Sequence, residues 1–388
     1  MKRWLGLSLV LTAATAAAAA IEVAPAGVYH HLDASGRSSL ALAGGLVALV
    51  WEDSRSGAPR CYLGLKAAAE PAFREFPLGQ GECFEPGVTT LDGQGFVLAW
   101  EDETGVNAAL ADAAGPGPAT RLGAGGHASV AAHSTLGIHA AWSAPEGRWR
   151  RLLHAGLKRD GKGLSADPAA PVDATPLVDD QTYPALAATA DGLALVWEDR
   201  RHGHTVIYGS RSSDGRTWSV PGRVSSNPTG KAPGNLGRGT GAMRPALVVF
   251  GHRLAAAWLD KRDFLSGYDV YAAIGDGAGY AKDQKAQDSF GDAISQWHAA
   301  AAGNRRGDLV IAWDDDRDGT PDIWLTRLVA DGYSENFSFP ETSGPLRQTD
   351  PVIALDEAGN LHMAWIERAA GSDANGPTRL RYGVWALK

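Results

Sequence analysis

Seven times along this chain a short apolar run ends in a tryptophan and gives way at once to polar residues. The runs close on Trp51, Trp100, Trp142, Trp197, Trp258, Trp313 and Trp365, at spacings of 42 to 61 residues. Around the fourth copy the order of signals is plainest. Residues 183–188 read as a short apolar strand, Ala190-Asp191-Gly192 as a hairpin turn and residues 193–197 as a second strand. Residues 205–211, rich in β-branched and aromatic side chains, predict a third strand, and residues 218–225 supply a fourth.

Four antiparallel strands every fifty or so residues make one blade of a β-propeller, so the chain predicts an all-β, seven-bladed propeller of four-stranded blades. A sheet ring must close on itself or leave strand edges unpaired. The seventh copy runs out of chain after its third strand, and residues 24–32, left over before the first copy, are the expected closing strand. The 48 glycines and 21 prolines suit a chain that turns this often.

The amino terminus stands outside the repeat. Met1-Lys2-Arg3 is basic, residues 4–11 are apolar and residues 12–20 are small, the pattern of an export signal cleaved near Ala20. Its apolar stretch is too short to cross a bilayer, which takes about 20 residues. The expectation is a single propeller domain over residues 21–388, periplasmic or extracellular, with no membrane insertion. The whole chain carries a formal charge of −8, and −10 without Lys2 and Arg3, which disfavours a nucleic acid partner. In an oxidising compartment the two cysteines, Cys61 and Cys83, are expected to pair.

Aligning the copies on their tryptophans brings one residue per blade to the start of the first strand: Arg37, Glu85, His127, Tyr183, Arg244, His298 and Asp350. Each is charged, titratable or able to hydrogen-bond, which predicts a polar, ligand-binding mouth at one end of the central channel. A second set follows the tryptophans: Asp53 with Arg55, Asp199 with Arg201, Asp260 with Arg262, and Asp315 with Arg317. Recurrence in several blades argues that these pairs serve structure. In the sixth copy Asp314, Asp316, Asp318 and Asp322 surround Gly319 in a D-x-D-x-D-G-x-x-D pattern, which spells a calcium loop and makes calcium the one candidate cofactor. Two long connections, residues 225–243 and 280–296, flank one sector of the mouth.

The blade-opening x-Pro, the Trp-x-Asp-x-Arg stretch and the single turn Ser212-Ser213-Asp214-Gly215-Arg216-Thr217-Trp218 together resemble the sialidase-like propellers with bacterial neuraminidase (Asp-box) repeats. The turn is one residue shorter than the usual form. The resemblance implies arginines that clamp a carboxylate, a tyrosine nucleophile beside a glutamate, and an aspartate acid/base, types that Arg37, Arg244, Tyr183, Glu85 and Asp350 supply. The amino-terminal Phe-Arg-Ile-Pro signature of that family is absent. The functional expectation is therefore an exported recognition propeller for a glycan, peptide or partner protein, with a sialidase-like exo-glycoside hydrolase as the alternative.

Overall fold

The apolar run ending in each tryptophan folds as the second strand of an antiparallel blade. Seven such blades close a ring in the computed structural model, which describes residues 20–32, 38–228, 241–262, 267–276, 279–373 and 376–387. The segment read as an export signal, up to residue 19, lies outside the described residues, as does Arg37. Blade four has the expected order, Gln181–Thr189, Gly192–Asp199 and Val206–Ser212, with a two-residue outer strand, Gly222–Arg223. No helix among the described residues is long and apolar enough to cross a membrane.

The core lies between blades. Each repeat tryptophan is at most 2% exposed and packs on the preceding blade, so that one apolar cluster occupies each of the seven blade-to-blade seams. The seam between blades seven and one joins Trp51 and Leu49 to Val352, Ala364 and Leu380.

The residues after the tryptophan hold it in place. In blade four the Trp197 indole N–H donates to Asp199 at 2.9 Å, and Arg201 donates to the same carboxylate through Nε (2.7 Å) and Nη2 (2.6 Å). Arg201 also reaches Asp173, and its guanidinium lies 4.4 Å from the ring centre of Tyr208, which pairs across the strands with Trp197. Blades one, five and six repeat the arrangement with Asp53, Arg55 and Tyr62, with Asp260, Arg262 and Tyr271, and with Asp315, Arg317 and Trp324. These are not the exposed ion pairs of a solvated corner. The four aspartate side chains are 0–1% exposed, so each pair is a desolvated clamp.

The ring closes through the amino terminus, one segment earlier than expected. Ile21–Glu22 forms the outer strand of blade seven, with Ile21 opposite Tyr382 and Glu22 opposite Arg381, and Val23 N–H extends the ladder to Leu380 O. Pro25, which has no N–H to give, and Gly27, at φ +90°, break the strand before it bridges again at Val28 and Thr378. His30–His31 has already crossed to blade one, where it pairs with Asp53 and Glu52. Cys61, on the third strand of blade one, is joined to Cys83, just ahead of blade two, with 5.4 Å between their Cα atoms.

Two outcomes are expected. Removing residues 20–28 strips the edge of Arg379–Ala386 and opens the last seam, so the truncated protein should self-associate, which light scattering would register. Asp199→Ala leaves Arg201 and the Trp197 N–H without their shared acceptor and should cost about 3–5 kcal/mol in chemical denaturation. Arg305→Ala, which removes a pair whose side chains are 92% and 60% exposed, should cost less than about 1 kcal/mol.

Candidate functional site: a ring of left-handed residues at the channel mouth

In six blades the first strand carries a β-bulge at one and the same place, directly across from the repeat tryptophan. Blade four shows the geometry: Thr182 pairs with Glu198 and Ala185 with Val196, so Tyr183 and Pro184 together face Trp197 alone. The same two-against-one step sets Glu85, His127, Arg244, His298 and Asp350 opposite Trp100, Trp142, Trp258, Trp313 and Trp365. The prolines at 86, 184, 245 and 351 fall on the bulge, where no ladder N–H is needed.

Among the described residues seven non-glycine residues have positive φ, and six of them are these bulge residues, between +49° and +56°. The seventh, Asp92, sits in a hairpin turn beside Gly93. A left-handed residue with a β-carbon costs about 1–2 kcal/mol that glycine would avoid. None of the six is glycine. The bulge explains the backbone, but it does not explain six side chains that all hydrogen-bond or carry charge.

Neighbouring bulges touch around the mouth. The His127 and Tyr183 rings stack with centroids 3.9 Å apart, and the Arg244 guanidinium carbon lies 3.6 Å from the Tyr183 ring centre. One sector on, His298 Nδ1 meets Asp314 at 2.6 Å and His298 Nε2 meets Asp350 at 3.3 Å. Tyr29 fills the blade-one sector. Its phenol is pushed up by burial and then by the carboxylate of Asp350, and the Arg368 guanidinium lies 5.7 Å from its ring centre. The structure therefore joins His127, Tyr183 and Arg244 in one contact group and His298 and Asp350 in a second, with the Arg244 charge felt at His298 and Glu85 at the equivalent position of blade two. Below this rim the channel holds a cavity of about 550 Å³ lined by small residues such as Ala128, Ala187, Ala246 and Ala300.

A second tier of acids escaped the sequence reading. The residue just after the tryptophan is Glu52, Glu101, Glu198 and Asp314 in blades one, two, four and six. In three of these blades its carboxylate accepts the bulge N–H of the next blade, Glu85 on Glu52, Arg244 on Glu198 and Asp350 on Asp314. Glu101 takes the corresponding place beside blade three. A β-carbon on Gly126 would fall 1.7 Å from its Oε2, so the glycine leaves the carboxylate room to lie there. The repetition of an acid one residue before the structural aspartate was the available signal, masked by that aspartate's own repetition.

Burial pushes the Glu198 carboxyl up to about 7, even though the Arg244 N–H and the guanidinium charges of Arg244 and Arg200 draw it down. Burial also opposes a charge on His298, but the carboxylates of Asp314 and Asp350 outweigh it and raise the imidazole to about 10. The mouth therefore holds the His298 imidazole, drawn toward its charged form between Asp314 and Asp350, the Arg244 guanidinium, and the Glu198 carboxyl, drawn by burial toward its neutral form.

The aspartates of the expected calcium loop are drawn to separate tasks. Asp314 faces His298 and Asp350, whereas Asp322 accepts the Gly344 N–H. Asp316 and Asp318 lie on the turn between, where Gly319 N–H bonds to Asp316 O. Among the described residues no group of three or more His, Cys, Asp or Glu is placed to hold a metal ion. The Asp214 turn serves structure, since its carboxylate accepts Thr217 N–H at 2.7 Å and Arg216 N–H at 2.8 Å, and Trp218 packs edge-on against His154 of blade three. Most of the 225–243 connection lies outside the described residues.

No family model matches the sequence. No curated protein matches it either. Solved structures match it in shape. The polysaccharide lyase Uly1 superposes on 93% of this chain and 92% of its own, with a TM-score of 0.58 at 8% identity. A protein of unknown function from Dyadobacter fermentans covers 95% and 99%, with a TM-score of 0.55 at 9% identity. The GH93 α-L-arabinofuranosidase of Fusarium graminearum, solved with arabinobiose, covers 96% and 98%, with a TM-score of 0.52 at 11% identity. At such identities the likeness is one of fold, and the chain is a seven-bladed propeller that shares its architecture with carbohydrate-active propellers.

Proposed function

We propose that this chain is an exported recognition propeller that binds a carbohydrate at the channel mouth. The observation that carries the reading is the ring of six left-handed, non-glycine residues. Backbone strain repeated at six equivalent positions, each bearing a polar side chain, marks a surface kept for what it contacts. Sugars offer paired hydroxyls and a C–H face. They are met by planar, oriented donors and acceptors with aromatic faces between them, and Arg244, His298, Asp350, Glu198 and Tyr183 supply that set on a rigid sheet frame. A propeller of similar fold holds arabinobiose in its own complex, which supports this ligand class. The Cys61–Cys83 bond supports a compartment more oxidising than the cytoplasm.

One observation favours hydrolysis as a second reading. A carboxyl held near 7, as Glu198 is, suits a general acid. The sialidase-like version would use Tyr183 as nucleophile. Its ring, however, is enclosed between His127 and the Arg244 guanidinium, and Glu85, the glutamate that version pairs with it, belongs to blade two.

Glycan-array screening followed by calorimetry tests the binding. Arg244→Ala should weaken the ligand at least tenfold with little change in stability. Arg244→Gly should bind as poorly yet fold more stably than the alanine variant by about 1 kcal/mol, because it relieves the left-handed strain. Unchanged affinity in both variants would remove the mouth as the site. Turnover of aryl glycosides that Glu198→Gln abolishes while binding persists would replace recognition by catalysis.

The imidazolium yields a pH dependence. The His298 pKa lies above its unfolded value of about 6.5, so its ion pairs stabilise the fold fully below that pH and are lost as pH rises through about 10. The stability gap between wild type and His298→Asn should therefore narrow from pH 6.5 to 10. A gap that is flat across this range would show that the ring is neutral.

A further inference from the structure

Resting on the carbohydrate reading, we propose that the mouth continues outward into a second sugar subsite, in which a ring stacks on Trp297. This tryptophan is unlike the seven that define the repeat. Those are buried between blades, whereas Trp297 is 43% exposed and immediately precedes His298 of the rim. Its indole stands 5.1 Å from the Tyr268 ring, tilted by 58°, so the two aromatics form an open corner rather than a stack. Tyr268 in turn feels the charge of Glu198, and the Lys261 ammonium lies 4.8 Å from its ring centre. The corner is thus continuous with the charged mouth on two sides, through His298 and through Glu198.

A lone exposed aromatic is ordinary on a protein surface. This one is held in place. Gln296, beside it in sequence, is fully buried; its side-chain amide donates to Gly291 O (2.9 Å) and Ile294 O (2.7 Å), and its N–H donates to Tyr268 O (2.8 Å). The two connections that carry the aromatics are also pressed together. A β-carbon on Gly267, which has φ +97°, would fall 1.9 Å from Ser295 Oγ. A flat ring on a fixed backbone, resting on one side against Tyr268, loses little side-chain freedom when a ligand settles on it. With hydrogen-bonding groups a few residues away on either side, it suits a pyranose or furanose whose C–H face rests on the indole while its hydroxyl edge turns to His298 and Asp350. The site would therefore take an oligosaccharide with at least one sugar in the mouth and one on the platform.

The test measures binding of arabino-, xylo- and gluco-oligosaccharides of one to six sugars to the exported chain by calorimetry. Affinity should rise with length in the series that binds. Trp297→Ala should lower the affinity for the longer members about tenfold, leave the single sugar and the melting temperature unchanged, and be rescued by Trp297→Tyr. Longer members that bind Trp297→Ala as tightly as wild type, while Arg244→Ala binds none, would overturn the platform alone. Wild type that binds no sugar of any length, or that binds peptides instead, would overturn the mouth reading and the platform with it.

Discussion

The structure depends on the tryptophan that ends each second strand and on the two residues set against it. A bulky indole wedged against the preceding blade occupies the place of one cross-strand partner, and the first strand answers with a bulge. Packing and site geometry are therefore one event. In six blades the seam that holds two blades together also turns one described residue into the left-handed region and presents its side chain at the channel mouth. Where the Asp–Arg clamp is present it fixes the indole N–H and closes the outer side of the same corner, so the bulge is braced from both directions.

The acids after the tryptophan tie the rim into a circuit. A bulge leaves an N–H without a ladder partner, and a buried amide without an acceptor costs about 1–3 kcal/mol. Glu52, Glu198 and Asp314 accept that N–H from the next blade, which keeps three carboxylates in the mouth for a structural reason. Those carboxyl groups then shape the chemistry, as Asp314 raises His298 toward its charged form and burial raises Glu198 against the pull of Arg244. Groups that stabilise the fold and groups that would meet a ligand are in part the same atoms.

Closure matters to the site as much as to stability. The channel walls are small side chains, alanine above all, and run from the residues beyond the bulges to Gly44, Gly93, Arg305 and Glu357. Pairing Ile21–Glu22 with the last strand completes the seam between blades seven and one and holds Tyr29 beside Asp350 and Arg368. In blade one the described residues pair with the second strand in two pieces, His30–His31 against Asp53 and Glu52 and Leu40–Ala43 against Leu49 to Leu46.

Architecture was legible in the sequence because the repeat is written in local terms: alternating strands, turn glycines and a tryptophan at a fixed place in each unit. The same alignment put Glu85, His127, Tyr183, Arg244, His298 and Asp350 at equivalent positions, since equal offsets from a repeated anchor become equal positions in a ring. What only the tertiary structure decided lies between blades. Which residues touch around the mouth, that burial raises the Glu198 carboxyl, and that Trp297 is exposed while the seven repeat tryptophans are not, all depend on neighbours brought in from other strands and blades. The closing strand was set by the break at Pro25 and Gly27, and Asp314 and Asp322 meet His298 and the Gly344 N–H, partners that a linear motif does not contain. A sequence repeats its anchors, but burial and charge pairing arise only when the ring brings distant residues together.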